Sequence, residues 1–205
     1  MGIHRLGAHS WLLAAPIFVA ANLITGLAWR QPRFSWSINN ISDLGNVTCG
    51  MWDTTRPREV CSPWHVAMNS AMVSTGVLLA LGVLLTWSAL GPGIAARSVQ
   101  LLTLAGAGGY LLAGAYPADV NENKHFLGAI LIFFLANGGM LVAALARRSP
   151  VLTSMRQLSL TLGLVGLGGT ALFLAQVDFG IGGMERVAVF PLFIWTSAVA
   201  VRLAR

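Results

Sequence analysis

Five side chains in this sequence have the types and placement for chemistry. Ser42 and Asp43 stand in Ile41-Ser42-Asp43-Leu44-Gly45, His65 follows Ser62-Pro63-Trp64, and Asp119 precedes His125 by six residues. Imidazoles with carboxylates are the ligand chemistry of zinc or another divalent ion, which would be held by His65, His125, Asp43 and Asp119. They are equally the chemistry of an acid–base pair, with Ser42 adding a hydroxyl. The chain has neither HxxxH nor HExxH, so the spacing alone is no metal signature. Each residue also has a plainer role. Ser42 or Asp43 can cap a short helix, and a histidine at a membrane surface can bond to a neighbouring loop. Asn69 lies four residues after His65, on the same helix face. Glu185 and Arg186 follow the glycine-rich stretch 178–183 that begins with Asp178. Asn69, Glu185 and Arg186 are candidate substrate contacts, although Arg186 can simply neutralise Glu185 or Asp178.

The elements that must position these groups are apolar. The chain is 56% hydrophobic and 10% charged, against roughly 25% charged in soluble domains. The expected fold is all-α: one polytopic membrane domain over 1–205, a bundle of six transmembrane helices near 11–29, 66–87, 98–116, 125–145, 157–177 and 185–203. The first ten residues read as a short polar lead, and Ser62 and Pro63 as the N-cap and first residue of the second helix. Glycines crowd the third and fifth helices, as close helix packing in lipid requires. Trp11, Trp29, Trp36, Trp64 and Trp87 fall near the expected interfaces, as an aromatic belt would. The long polar segment is the loop 30–62, which holds both cysteines, and Cys49 with Cys61 should form a disulfide in an oxidising compartment.

The net charge of +6 comes without a dense basic cluster, so nucleic acid is excluded as a partner. The charges instead follow a topology. With six spans, one face carries Arg5, Arg97, Arg147, Arg148, Arg156, Arg202 and Arg205 and none of the seven acids. The rule for Lys and Arg in short loops then places both termini in the cytoplasm and the loop outside. The Ala, Gly, Leu and Arg bias suggests a bacterial inner membrane.

Asn39 to Gly45, Ser62-Pro63-Trp64, and Tyr116-Pro117-Ala118-Asp119 with His125 beyond resemble a family of bacterial and archaeal six-helix membrane proteins, domain of unknown function 998. The resemblance covers about residues 10–205, with Tyr116-Pro117 standing where the family has Phe-Pro. It implies a six-helix bundle with Ser42, Asp43, Asp119 and His125 at the outer face, and it implies no activity. In design the chain is more distantly similar to membrane hydrolases of the alkaline ceramidase type, which gather Ser, Asp and several His around zinc. It lacks their histidine spacing. The function expected first is an intramembrane enzyme, hydrolase-like or acid–base, acting on a lipid or isoprenoid. The alternatives are a binder or transporter of a lipid or other small hydrophobic molecule, and a membrane scaffold.

Overall fold

The computed structural model describes residues 2–177 and 180–204. Six helices are long and apolar enough to cross a membrane: α1 Ile3–Ala28, α2 His65–Leu85, α3 Ile94–Ala115, α4 Glu122–Ala143, α5 Arg156–Leu174 and α6 Ile181–Ala204. The protein is an all-α polytopic membrane bundle. Each helix packs on its neighbour in sequence, and α6 returns to α1, closing the ring. Phe18 of α1 fills the centre, stacked 4.8 Å from Phe193 and edge-on to Tyr110 at 5.5 Å.

Small residues set the helix spacing, because lipid gives helices no hydrophobic reason to associate and close packing must do so. Gly109 and Gly128 show it best. A Cβ on Gly109 would stand 2.6 Å from the Gly128 carbonyl oxygen, and one on Gly128 would stand 2.8 Å from that of Gly109. Buried asparagines tie the ring further. Asn137 donates to the Ala188 carbonyl at 2.9 Å and Asn22 to the Met68 sulfur at 3.9 Å.

The helices α3, α4 and α6 each start a few residues before the hydropathy reading has them, and two further boundaries depart from it with consequences. The helix α1 starts at Ile3 rather than near Trp11, and the polar lead is helical. Its first turns dock on the end of α2, where the His4 Nδ1 bonds the Leu85 carbonyl at 3.0 Å. Trp11 therefore lies inside the bundle, fully buried, with its indole N–H donating to the Leu79 carbonyl at 3.0 Å. Trp29 is also buried, so neither residue belongs to an interfacial belt. The helix α5 ends at Leu174, because Gln176 takes a left-handed conformation at φ 52°.

Midway, α4 contains a π-helical stretch, Leu131–Ala136. Widening a turn displaces backbone carbonyls, which in a membrane need new partners. The Phe133 carbonyl finds them in Asn137 Nδ2 at 2.8 Å and Thr170 Oγ1 at 3.4 Å.

The loop between α1 and α2 folds over one end of the bundle. It contains a 3₁₀ turn, Ser42–Gly45, and a two-stranded antiparallel hairpin, β1 Gly50–Trp52 and β2 Arg58–Val60. The Cys49–Cys61 disulfide closes the hairpin at its base.

Candidate functional site

The Asn39–Gly45 motif is a knot of hydrogen bonds with Asp43 at its centre. Asp43 is fully buried, and Arg58 from β2 grips it in two-pronged fashion, Nε to Oδ2 at 2.7 Å and Nη2 to Oδ1 at 2.5 Å. The Asn40 backbone N–H at 3.0 Å and the Asn39 amide at 3.2 Å complete its shell. Arg58 also reaches Asp53 at 3.1 Å. Burial alone would lower the Arg58 pKa, but its bonds to Asp43 outweigh that and raise it. Burial likewise pushes Asp53 up, while hydrogen bonds from Thr55, Arg58 and Arg56 prevail and hold it below the usual carboxylate range.

The rest of the motif locks the loop onto the helices. The Ile41 N–H donates to Glu185 of α6 at 2.5 Å, Ser62 Oγ to the Leu44 carbonyl at 2.7 Å, and Asn69 Nδ2 to the Gly45 carbonyl at 2.8 Å. Any side chain on Gly45 would run into the Asn69 amide. Ser62 is thus a loop clasp rather than an N-cap, and α2 begins at His65 without a side-chain cap.

The sequence candidates separate into two groups. Asp119 anchors the loop: its Oδ2 accepts from the N–H groups of Val47 and Thr48 at 2.8 and 2.7 Å and from the Thr48 hydroxyl at 2.8 Å. The His65 Nδ1 bonds the Ser62 carbonyl at 3.2 Å. Arg186 directs Nη1 to the carbonyls of Trp36, Asn39 and Gly182 at 3.0, 3.0 and 2.7 Å. Asn69 belongs with these loop anchors. The other group, Ser42, His125 and Glu185, lines a cavity of about 590 Å³.

That cavity is two-ended. Its polar end is formed by Asn40, Ser42, Arg58, Glu122, His125 and Glu185, under a lip of Trp52 to Thr55 from the hairpin. Its apolar end runs between α4 and α5 along Ala129, Ile130, Phe133, Phe134, Phe173 and Leu174. Phe134 and Leu174 are exposed on the lipid-facing side. Beneath the polar end lies a second space of about 30 Å³, which shares Ser42, His125 and Glu185 and adds the buried Tyr110. Among the described residues the Tyr110 hydroxyl has no hydrogen-bond partner. The His125 Nδ1 donates to the Tyr116 carbonyl at 3.0 Å, which in the neutral ring leaves the lone pair on Nε2.

A family model for a protein of unknown function, domain of unknown function 998, matches residues 12–202. The chain belongs to this family. No curated protein and no solved structure matches it. The family match covers both the motif and all but the first turns of the bundle.

The four-residue metal set is not assembled. Among the described residues no three His, Cys, Asp or Glu side chains stand where they could hold an ion. The physical reason is that Asp43 is bound to Arg58, Asp119 to the loop backbone, and His65 borders neither cavity. Arg58 was missed as anything more than a loop charge. No signal in the sequence separates it from Arg56, which lies in the same Cys49–Cys61 span. Asp178 lies outside the described residues.

Proposed function

We propose that this chain receives an amphipathic lipid or isoprenoid in the two-ended cavity and performs acid–base chemistry on its head. The observation that carries this reading is the cavity's division into a polar end with four ionisable groups, Arg58, Glu122, His125 and Glu185, and an aromatic trough ending at the exposed Phe134 and Leu174. Its volume lies within the usual range for ligand sites. Ser42, His125 and Glu185 are the reacting candidates. His125 offers a lone pair, Glu185 a carboxyl group and Ser42 a hydroxyl, and all three line both the cavity and the small space beneath it. Asp43, Asp119, Asn69 and Arg186 position the loop that supplies Ser42, and His65 fastens its exit. The proposal uses protein groups alone: of the residues first considered for zinc, Asp43 is held by Arg58 and Asp119 by the loop backbone, and His125 alone lines the cavity.

The test is the lipid profile of cells producing the protein, with the lipid that co-purifies. His125→Ala should remove the change in profile, a loss of about 10²- to 10⁴-fold for a general acid or base, while lipid still co-purifies. A non-catalytic binder, the alternative, would instead show weaker lipid retention and no profile change in either form. A cavity that retains no lipid in wild type, with Phe133→Trp also without effect, overturns both readings.

We further propose a bacterial inner-membrane location with both termini cytoplasmic and the loop outside. Arg97, Arg147, Arg148, Arg156 and Arg202 gather at the end of the bundle opposite the loop, where the positive-inside rule wants them. A cysteine placed at Arg148 should resist an impermeant thiol reagent in intact cells. Ready labelling there reverses the orientation.

A further inference from the structure

The head group that this cavity accepts can be read from its charges, a step that rests on the reading just proposed. Glu185 is 6% exposed and lines the polar end. Its Oε2 accepts from the Ile41 N–H. Among the described residues no Arg, Lys or His nitrogen lies within 4.0 Å of it, since the ion pairs are those of Arg58 with Asp43 and Asp53. The nearby guanidiniums are turned toward other acceptors. Arg58 has Nε and Nη2 on Asp43 and Nη1 on Asp53 and the Arg56 carbonyl. Arg56 is fixed on the Ile38 carbonyl and the Asn40 side chain. Arg186 has Nη1 on three carbonyls, and its Nε and Nη2, without hydrogen-bond partners among the described residues, do not line the cavity. Lys124, beside the rim, lies 4.0 Å over the Tyr116 ring and does not line the cavity.

A buried carboxylate without a cation is costly and is relieved by a proton or by an incoming positive group. Around it, among the described residues, the wall carries two more carboxylates, Glu122 and Asp53, and one arginine shared between Asp43 and Asp53. Such a wall draws cations toward the opening and sets three carboxylates against a phosphate, with its arginine already gripped by two aspartates.

We propose that the head group bound here is an amine, paired with Glu185 as an ammonium, and that the site discriminates against phosphate. The apolar trough then takes the hydrocarbon tail, and the class of ligand is a long-chain amine.

The experiment uses the purified full chain in a detergent with an uncharged head group, at neutral pH and physiological salt. Dodecylamine, dodecan-1-ol and dodecyl phosphate, which share one tail, are titrated by calorimetry. The amine should bind about tenfold or more tightly than the alcohol, with the phosphate weakest, as a charge-assisted hydrogen bond implies. Glu185→Gln should remove that advantage, weakening the amine about 10- to 100-fold and leaving the alcohol nearly unchanged. Phosphate binding as well as the amine, or an amine indifferent to Glu185→Gln, overturns the inference while leaving a lipid site standing. Failure of all three ligands removes the lipid site itself. Should Glu185→Gln fail to fold, the wild-type ranking alone decides.

Discussion

Asp43→Asn should lower the stability of the protein by about 3–5 kcal/mol, the cost of breaking a buried ion pair from one side. The substitution keeps the shape of the side chain but leaves Arg58, whose side chain is 8% exposed, without its main counter-charge. Arg58→Met should cost a similar amount by stranding the fully buried carboxylate. The double variant Asp43→Asn with Arg58→Met should be much less harmful than the two losses combined, because removing both charges removes the desolvation problem. Thermal melts of the four proteins in one detergent supply the comparison. An Asp43→Asn protein within about 1 kcal/mol of wild type would show that the pair does not hold the loop, and would return Asp43 to the list of reacting groups.

The disulfide has the next largest expected effect. Cys49 and Cys61 are 12 residues apart in sequence, and closing a loop of that length stabilises by about 3 kcal/mol in the chain-entropy model. Cys49→Ser should therefore loosen the hairpin, read as faster proteolysis between Met51 and Arg58, with the bundle intact. Arg58 rides on that hairpin, so Cys49→Ser and Asp43→Asn should be non-additive. Mass spectrometry of the non-reduced protein should find the two cysteines linked. Two free thiols in fresh material, or unchanged proteolysis in the variant, would contradict the assignment.

The bundle was legible because its cause is local. Six runs of apolar residues of spanning length can satisfy their backbone only as helices. The same logic placed His125 and Glu185 at the loop end. What could not be read was which carboxylate meets which partner. Asp43, Asp119, His65 and His125 share a depth, and depth alone suggests one site. The structure gives each carboxylate its own partners: Asp119 answers to backbone N–H groups 71 and 72 residues away and Asp43 to an arginine 15 residues on. Those distances in sequence carry no periodicity. Trp11 was misplaced for a related reason: its burial depends on where α2 passes, and hydropathy sees only the single helix. The aromatic trough was invisible too, since Phe133 and Phe173 look like any lipid-facing residues until their helices meet, with the rings 5.4 Å apart.

The widened turn in α4 acts as a phase setting. At 3.6 residues per turn, the twelve positions from His125 to Asn137 would leave their side chains about 120° apart around the helix. One residue absorbed by a π turn reduces that offset to about 20°. His125 can then face the cavity while Asn137 faces α6, both pointing into the bundle. A one-residue deletion between Leu131 and Ala136 would restore regular helix and keep every residue of the polar wall. The offset of about 20° would survive it, whereas closing the π turn to regular helix with no residue removed would turn the loop-end half of α4 by roughly a quarter of a revolution, carrying His125 away from Ser42 and Glu185. In this protein the angular timing of one helix decides whether the wall exists.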